Sequence, residues 1–248
     1  MALSEDEGQT WGELELAGDW GGVVVMGDIV ALKEPGHYMA LFHDDGWFIS
    51  NEARQGPRTM TLYKTFSEDG GLTWSQPEMI WESTEIHICE PGIIRSPDGS
   101  QMAVLLRENA RQQNSQIIFS NDEGQTFTDP VAMPDTLNGD RHTGVYGPDG
   151  RLFISFRSRS PRGKEGMYEG DWVGWVGTYD DLVNGNDGQY VVRLRDNTHG
   201  YDTAYPGVLI LPDGTVVTTT YGHWDQGEQP YIRTVRFSLD QLDALAEE

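Results

Sequence analysis

Ser67-Glu68-Asp69-Gly70-Gly71-Leu72-Thr73-Trp74 is the stretch whose reading decides the fold, because the chain writes it three times. Ser4-Glu5-Asp6-Glu7-Gly8-Gln9-Thr10-Trp11 and Ser120-Asn121-Asp122-Glu123-Gly124-Gln125-Thr126-Phe127 share its pattern, Ser-x-Asp-x-Gly-x-Thr-aromatic. Each part of the pattern has a task in a hairpin turn. The Asp accepts hydrogen bonds from its own turn amides, and the Gly takes a positive φ that other residues resist. The hydroxyls add local bonds, and the aromatic ring pins the turn to the sheet below. Three copies at separations of roughly 50 to 60 residues indicate a repeated sheet, as in a β-propeller.

Working outward, the chain falls into units of short strands. Met60 to Phe66 leads into the central turn and Pro77 to Trp81 leaves it; Val23 to Leu32 and His37 to His43 read as the two strands before them. The next unit runs Gly92-Ile93-Ile94, the turn Ser96-Pro97-Asp98-Gly99, Met102 to Leu106, Ser115 to Phe119 and Val131 to Met133. A third runs Thr143 to Tyr146, Gly147-Pro148-Asp149-Gly150, Leu152 to Phe156, Asp171 to Tyr179 and Tyr190 to Leu194. A fourth has Gly207 to Leu211, Pro212-Asp213-Gly214, Thr215 to Tyr221 and Tyr231 to Phe237. Pro-Asp-Gly thus recurs three times at equivalent places. The class is all-β, with about four four-stranded blades over residues 1–248, and a short helix is expected at Leu239 to Ala246 with Ser238 as its cap. Glu13-Leu14-Glu15-Leu16 alternates as a half-buried strand should. Because Met1 stands just before a turn motif, the strand expected ahead of that turn is missing; the favoured reading is a chain lacking upstream blades, the alternative a compact propeller closed by its N-terminal strand. Arg159 to Gly170 is a long connection without a strand period, functional or disordered.

Composition narrows the partners. The 248 residues hold 30 Gly, 12 Pro, 8 Trp and 10 Tyr, which suit short strands and tight turns. A net charge of −23 argues against nucleic acid or an anionic membrane as a general partner, while leaving room for a small anionic ligand where arginines gather. No stretch is long and apolar enough to span a bilayer, and the N-terminus does not read as a signal peptide. Compartment stays open. Cys89 is the single cysteine, which excludes an intrachain disulfide and a cysteine-rich zinc site. His87, His142, His199 and His223 form no recognised metal motif, and neither a phosphate-cradling Gly loop nor a serine-nucleophile elbow is present, so no cofactor is expected.

Counting back from each Pro-Asp-Gly gives the sharpest observation: the equivalent first-strand positions are Glu90, Arg141 and Tyr205. First strands line a propeller's axis, so these positions converge on one mouth of the channel. Three different polar residues there point to a site; the plainer reading is that each caps its own strand end. Arg107 and Arg157 end the second strands of their units, with Tyr221 and His223, or His43, Asp44 and Asp45, in the matching regions of the others. Guanidinium groups at repeated inner positions suit a carboxylate ligand, or pair with neighbouring acids. His142, beside Arg141, is a further candidate for the site, and Trp172, Trp175 and Tyr179 read as core or blade surface.

At these residues the chain resembles the sialidase (neuraminidase) superfamily, whose six-bladed propellers carry such turns, known as Asp boxes. The resemblance implies a glycoside hydrolase with an arginine triad for the sialic-acid carboxylate, a Tyr nucleophile activated by Glu, and an Asp acid/base. Glu90 followed seventeen residues later by Arg107 is similar to the family's Glu and second arginine, and Ala204-Tyr205-Pro206 to the segment around its nucleophile. For the third arginine Arg157, Arg159 and Arg162 compete, with Arg141 as the outside choice. The first arginine and the Asp would lie upstream of Met1; Asp44 is a substitute acid that no family motif supports. The expected substrate is a small-molecule glycan. The alternatives are a non-catalytic propeller binding a glycan or protein at the same mouth, and an incomplete domain that self-associates through open sheet edges.

Overall fold

The computed structural model describes residues 1–18, 20, 25–45, 59–200 and 202–246. Four antiparallel sheets follow one another along the chain. The first holds β1 (Val25–Ala31), β2 (Tyr38–Asp44), β3 (Met60–Ser67) and β4 (Glu78–Ser83). The second holds β5 (Ile88–Arg95), β6 (Met102–Glu108), β7 (Gln116–Ser120) and β8 (Val131–Ala132). The third holds β9 (Gly139–Tyr146), β10 (Leu152–Ser158), β11 (Trp172–Gly177) and β12 (Tyr190–Arg195). The fourth has three strands, β13 (Gly207–Ile210), β14 (Val216–Gly222) and β15 (Tyr231–Phe237). In every sheet the strands neighbour one another in chain order, and the first strands contact in series, β1 with β5, β5 with β9 and β9 with β13. This is a four-bladed β-propeller arrangement, all-β apart from short helices.

The apolar runs of the second strands follow from this stacking. Met102, Val104 and Leu106 of β6 face back to Met39, Leu41 and Leu62, while Ala103 and Leu105 face forward to Ile154, Phe156 and Trp175. In β10, Ile154 and Phe156 face back and Phe153 faces forward to Val216 and Phe237. A strand covered on both faces loses its polar alternation and reads as a continuous apolar segment.

The repeated turns have one geometry. Ser67 Oγ donates to Asp69 Oδ1 at 2.9 Å, the amide of Gly71 donates to Ser67 Oγ at 2.8 Å, and the amide and hydroxyl of Thr73 donate to the Asp69 carboxylate at 2.9 and 2.5 Å. The same set recurs around Asp6 and Asp122. The Thr73 hydroxyl and amide hold the Asp69 carboxyl at about 2, well below its ordinary value. Pinning by the aromatic differs among copies: Phe127 packs on the core, Trp74 donates Nε1 to Gly71 O at 3.1 Å, and Trp11 is 64% exposed. The second-blade turn is also tied to the first blade, since the buried Lys64 ammonium donates to the carbonyls of Gly124 and Gln125.

Two expectations need correction. Glu13–Leu16 joins no sheet, and Leu14 and Leu16 are each 84% exposed. Among the described residues the segment is held by backbone bonds between Glu15 and Met1, and its alternation has no surface to cover. The strand expected through Tyr179 stops at Gly177. Thr178 and Asp181 form a capping box that opens α1 (Tyr179–Asn184), which Gly185 closes in the left-handed conformation. The strand expected from Val23 begins at Val25 among the described residues, positions 23 and 24 lying outside them. The closing helix α2 (Leu239–Ala246) forms as expected, with Ser238 and Gln241 exchanging cap bonds.

Gly124 and Gly71 separate turn strain from packing. Both have positive φ, +80° and +89°, but a Cβ on Gly124 would lie 2.2 Å from Sδ of the buried Met39, whereas one on Gly71 would meet only Trp74, at 3.7 Å. Gly71→Ala is expected to cost about 1–2 kcal/mol through backbone strain. Gly124→Ala is expected to add about 1–3 kcal/mol of overpacking to that. Urea denaturation of both variants checks this; equal losses would mean that Met39 yields freely.

Candidate active site

The first strands are bulged where they enter the mouth. In the pairing of β5 with β6 the register shifts between Cys89 and Gly92, and in that of β9 with β10 between Ser155 and Arg157. Glu90 and Arg141 occupy these bulges with φ of 51° and 59°, a region non-glycine residues avoid. A bulge re-aims the side chain it carries. In the fourth blade Tyr205 matches them by turn alignment, but the positive φ falls one residue earlier, on Ala204 (52°). The two bulged strands approach closely: a Cβ on Gly92 would lie 2.1 Å from the carbonyl oxygen of His142, so only glycine fits.

These backbones bring Glu90, Tyr205 and two arginines into contact. Tyr205 Oη donates to Glu90 Oε1 at 3.2 Å. Arg107, from the end of β6, donates Nη1 to the same Oε1 at 2.9 Å and reaches Tyr205 Oη at 3.5 Å. Arg141 sets its guanidinium over the Tyr205 ring, 4.8 Å from the centroid, with Nε 3.8 Å from Glu90 Oε2. Arg157 lies 5.5 Å from that centroid. Tyr221 stacks on Tyr205 at 6.1 Å and donates its hydroxyl to Asp202 at 2.5 Å.

Behind them lies a group the sequence reading missed. Asp140, wholly buried, accepts Nε and Nη2 of Arg157 at 2.9 and 2.6 Å and Nη2 of Arg111 at 2.7 Å, and its Oδ1 lies 3.3 Å from Arg107 Nε. Arg157 therefore pairs with an acid of the chain, as does Arg107 in part. Asp140 was legible only as the residue before Arg141, where the second blade carries Cys89. Arg111 stands in the loop after β6, beyond the repeated strand positions. Arg159 pairs with Glu169 at 3.3 Å.

Two candidates are turned away from the mouth. His142 is buried with its Nε2 2.8 Å from Leu137 O and its ring stacked on Phe156 at 4.8 Å; the residue after the bulge points into the blade interior, not beside Arg141. At the end of β2 it is His43 that meets the site, its Nδ1 accepting the Glu90 amide at 3.4 Å. Strand alternation sends Asp44, also buried, to the opposite face. Among the described residues no three His, Cys, Asp or Glu side chains gather in a way that could hold a metal, and no helix is long and apolar enough to cross a membrane.

Burial raises the pKa of Tyr205, and the Glu90 carboxylate raises it further, against the pull of Arg157 and Arg107. The phenol is therefore neutral at rest. Burial works against the charge on Arg107, yet Asp140 and Glu90 outweigh it and hold its pKa above the ordinary value. Burial would also raise Asp140, but the Arg111 hydrogen bond and the charges of Arg107 and Arg157 prevail and hold it at about 2.

Burial depresses His142 and His43 to about 4, Arg141 adding to the effect at His43. Both imidazoles stay neutral in the fold while the unfolded chain takes up protons below its ordinary 6.5. Stability is thus expected to fall as pH drops from about 6.5 to 4, by about 3 kcal/mol for each histidine at full effect. Asp140 follows in a lower window: its contribution, complete above the ordinary 3.8, is lost as pH falls through about 2. Melting temperature against pH checks this, and His142→Gln should flatten the slope between pH 6.5 and 4; an unchanged slope would clear His142 of the effect.

The comparisons with known proteins agree with this architecture. No curated protein matches the chain. A protein of unknown function from Dyadobacter fermentans has a crystal structure that superposes with a TM-score of 0.72 at 18% identity, over 95% of this chain and 62% of that one. The intramolecular trans-sialidase of Ruminococcus gnavus, solved with oseltamivir carboxylate, gives 0.64 at 19% identity, over 97% and 50%. The NanB sialidase of Streptococcus pneumoniae gives 0.64 at 13%, over 96% and 35%. The chain thus spans less than two thirds of each of these structures, and at such identities the likeness is one of fold: a propeller of the sialidase type. The BNR repeat-like domain family matches residues 1–217, and with most of its length so matched the chain belongs to that family.

Proposed function

We propose that the chain carries the nucleophile end of a sialidase-like glycosidase acting on a terminal acidic sugar. The observation that carries this reading is the hydrogen bond from Tyr205 Oη to Glu90 Oε1 at 3.2 Å, with Arg107 Nη1 beside both oxygens. A phenol with a raised pKa is a poor nucleophile until a base removes its proton. In this reading Glu90 takes that proton, and Arg107 stabilises the phenolate that results. Tyr205 Oη would then bond to the anomeric carbon as the glycosidic C–O bond breaks, the departing oxygen taking a proton from water at the open mouth. The hydroxide left by that transfer would then attack the anomeric carbon and release the sugar as the Tyr205 phenolate departs, and Glu90 would return its proton to the phenolate. A neutral phenol also avoids the repulsion a carboxylate nucleophile would exert on an anionic sugar, the reason this chemistry stands apart from the usual carboxylate pair. The fold shared with sialidases supports the reading without deciding it.

A second reading is a propeller that binds such a glycan without cleaving it. It is favoured by one fact: among the described residues Glu90 is the only carboxylate hydrogen-bonded to Tyr205, and no acid for the leaving group is identified beside it.

Hydrolysis of a fluorogenic sialoside tests the first reading. Tyr205→Phe is expected to lower turnover by roughly 10³-fold or more while leaving affinity for a dehydrated sialic-acid mimic within about threefold. Equal turnover in the variant would remove Tyr205 from the mechanism. Binding by the unmodified chain with no turnover would favour the second reading.

A further inference from the structure

Three arginines, Arg107, Arg141 and Arg157, meet Tyr205 or Glu90, a fourth, Arg111, lies behind them on Asp140, and the four are not in equivalent states. Arg157 is saturated: Nε and Nη2 are on Asp140, and Nη1 donates to Thr203 O at 3.2 Å. Arg111 has Nη2 on Asp140. Arg107 turns its Nε toward Asp140 and its Nη1 to Glu90. Arg141 differs from all three. Its guanidinium makes no hydrogen bond to a described residue; it only stacks over Tyr205 and faces Glu90 Oε2 across 3.8 Å. Arg141 Nε and Glu90 Oε2 are both buried without a hydrogen-bond partner, as are Arg107 Nε and Asp140 Oδ1, but the latter two face each other at 3.3 Å, closer than the 3.8 Å between the former; Glu90 is itself only 6% exposed. Buried polar atoms without partners are uncommon, and here they flank the phenol.

We infer that Asp140 fills, from within the chain, a carboxylate seat built by Arg107, Arg111 and Arg157, so that a ligand's own carboxylate is received by Arg141 instead. Planar guanidinium groups converging on one carboxylate form the seat such anions prefer, and that seat is taken. Asp140 cannot swing out, being fully buried on a first strand between two blades. Among the described residues Arg141, stacked over Tyr205, is the guanidinium of this group without a hydrogen bond to an acid. The site therefore takes one carboxylate, held by a single guanidinium, where an open cluster would offer three. This assignment of the ligand's anion rests on the glycan reading above; the occupancy of the seat does not.

The two parts have separate tests. Asp140→Gly empties the seat, and formate is small enough to refill it. Replacing sodium chloride by sodium formate at constant ionic strength is expected to raise the melting temperature of Asp140→Gly by about 5 °C. The unmodified chain, whose seat is full, should shift by less than about 1 °C. No formate effect on the variant, or an equal effect on both proteins, overturns the seat. If Asp140→Gly does not fold in chloride, refolding from denaturant in formate replaces the melt: recovery supports the seat, and failure in both salts overturns it. For the ligand, the affinity of the dehydrated sialic-acid mimic is compared with that of its neutral methyl ester. Arg141→Gln is expected to reduce the preference for the acid at least tenfold, and an unchanged preference overturns the role of Arg141. If the unmodified chain binds neither compound, the glycan reading fails, and with it the role of Arg141, while the formate result still decides the seat.

Discussion

The structure depends on sheets covering one another on both faces. β6 and β10 send alternate side chains backward and forward into neighbouring blades, and almost none of these side chains touches water. Burial on that scale is the main favourable term in folding. It also fixes where the first strands lie, because each blade can stack only with its inner edge toward the common axis. The turns and the Lys64 tie stabilise the rim of this arrangement; the stacking creates it.

From that stacking the site follows. Three first strands bring their inner ends together, and the bulges of two of them turn Glu90 and Arg141 toward Tyr205 against the usual backbone preference. Strained φ angles persist only where the surroundings over-determine them, and here the close approach of Gly92 to His142 and the Asp140 ion cluster supply that constraint. In a chain of net charge −23, Arg107, Arg141 and Arg157 at one mouth, with Arg111 behind them, make a local field opposite to that of the whole molecule. Asp140 tempers that field from beneath while leaving the Glu90–Tyr205 bond in place.

Buried pairs of this kind are costly to assemble and costlier to break, since removal of one partner strands the other's charge in a medium that solvates it poorly. Asp140 with its arginines is thus both a structural knot and a determinant of what the mouth can receive. Glu90 stands at the boundary between the roles: Oε1 is committed to Tyr205 and Arg107, and the buried Oε2 faces Arg141 without a hydrogen bond.

The amino-acid order by itself determined the turns, the blade count and the meeting of Glu90, Arg141 and Tyr205. All three are matters of local chemistry or of exact repetition: Asp69 bonds residues within four positions of itself, and the Pro-Asp-Gly turns set a common register from which to count. Tertiary structure decided the rest. Alternation alone made Glu13–Leu16 look like a strand, but a strand needs a partner to hold its backbone bonds, and none covers it among the described residues. Adjacency in sequence put His142 with Arg141 and Asp44 with His43, yet a bulge and a strand's two-residue period turn each pair apart. Asp140 and Arg111, twenty-nine residues apart, meet only because separate blades converge. Which arginine is spent within the chain and which is left for a ligand depends on distances that no spacing encodes.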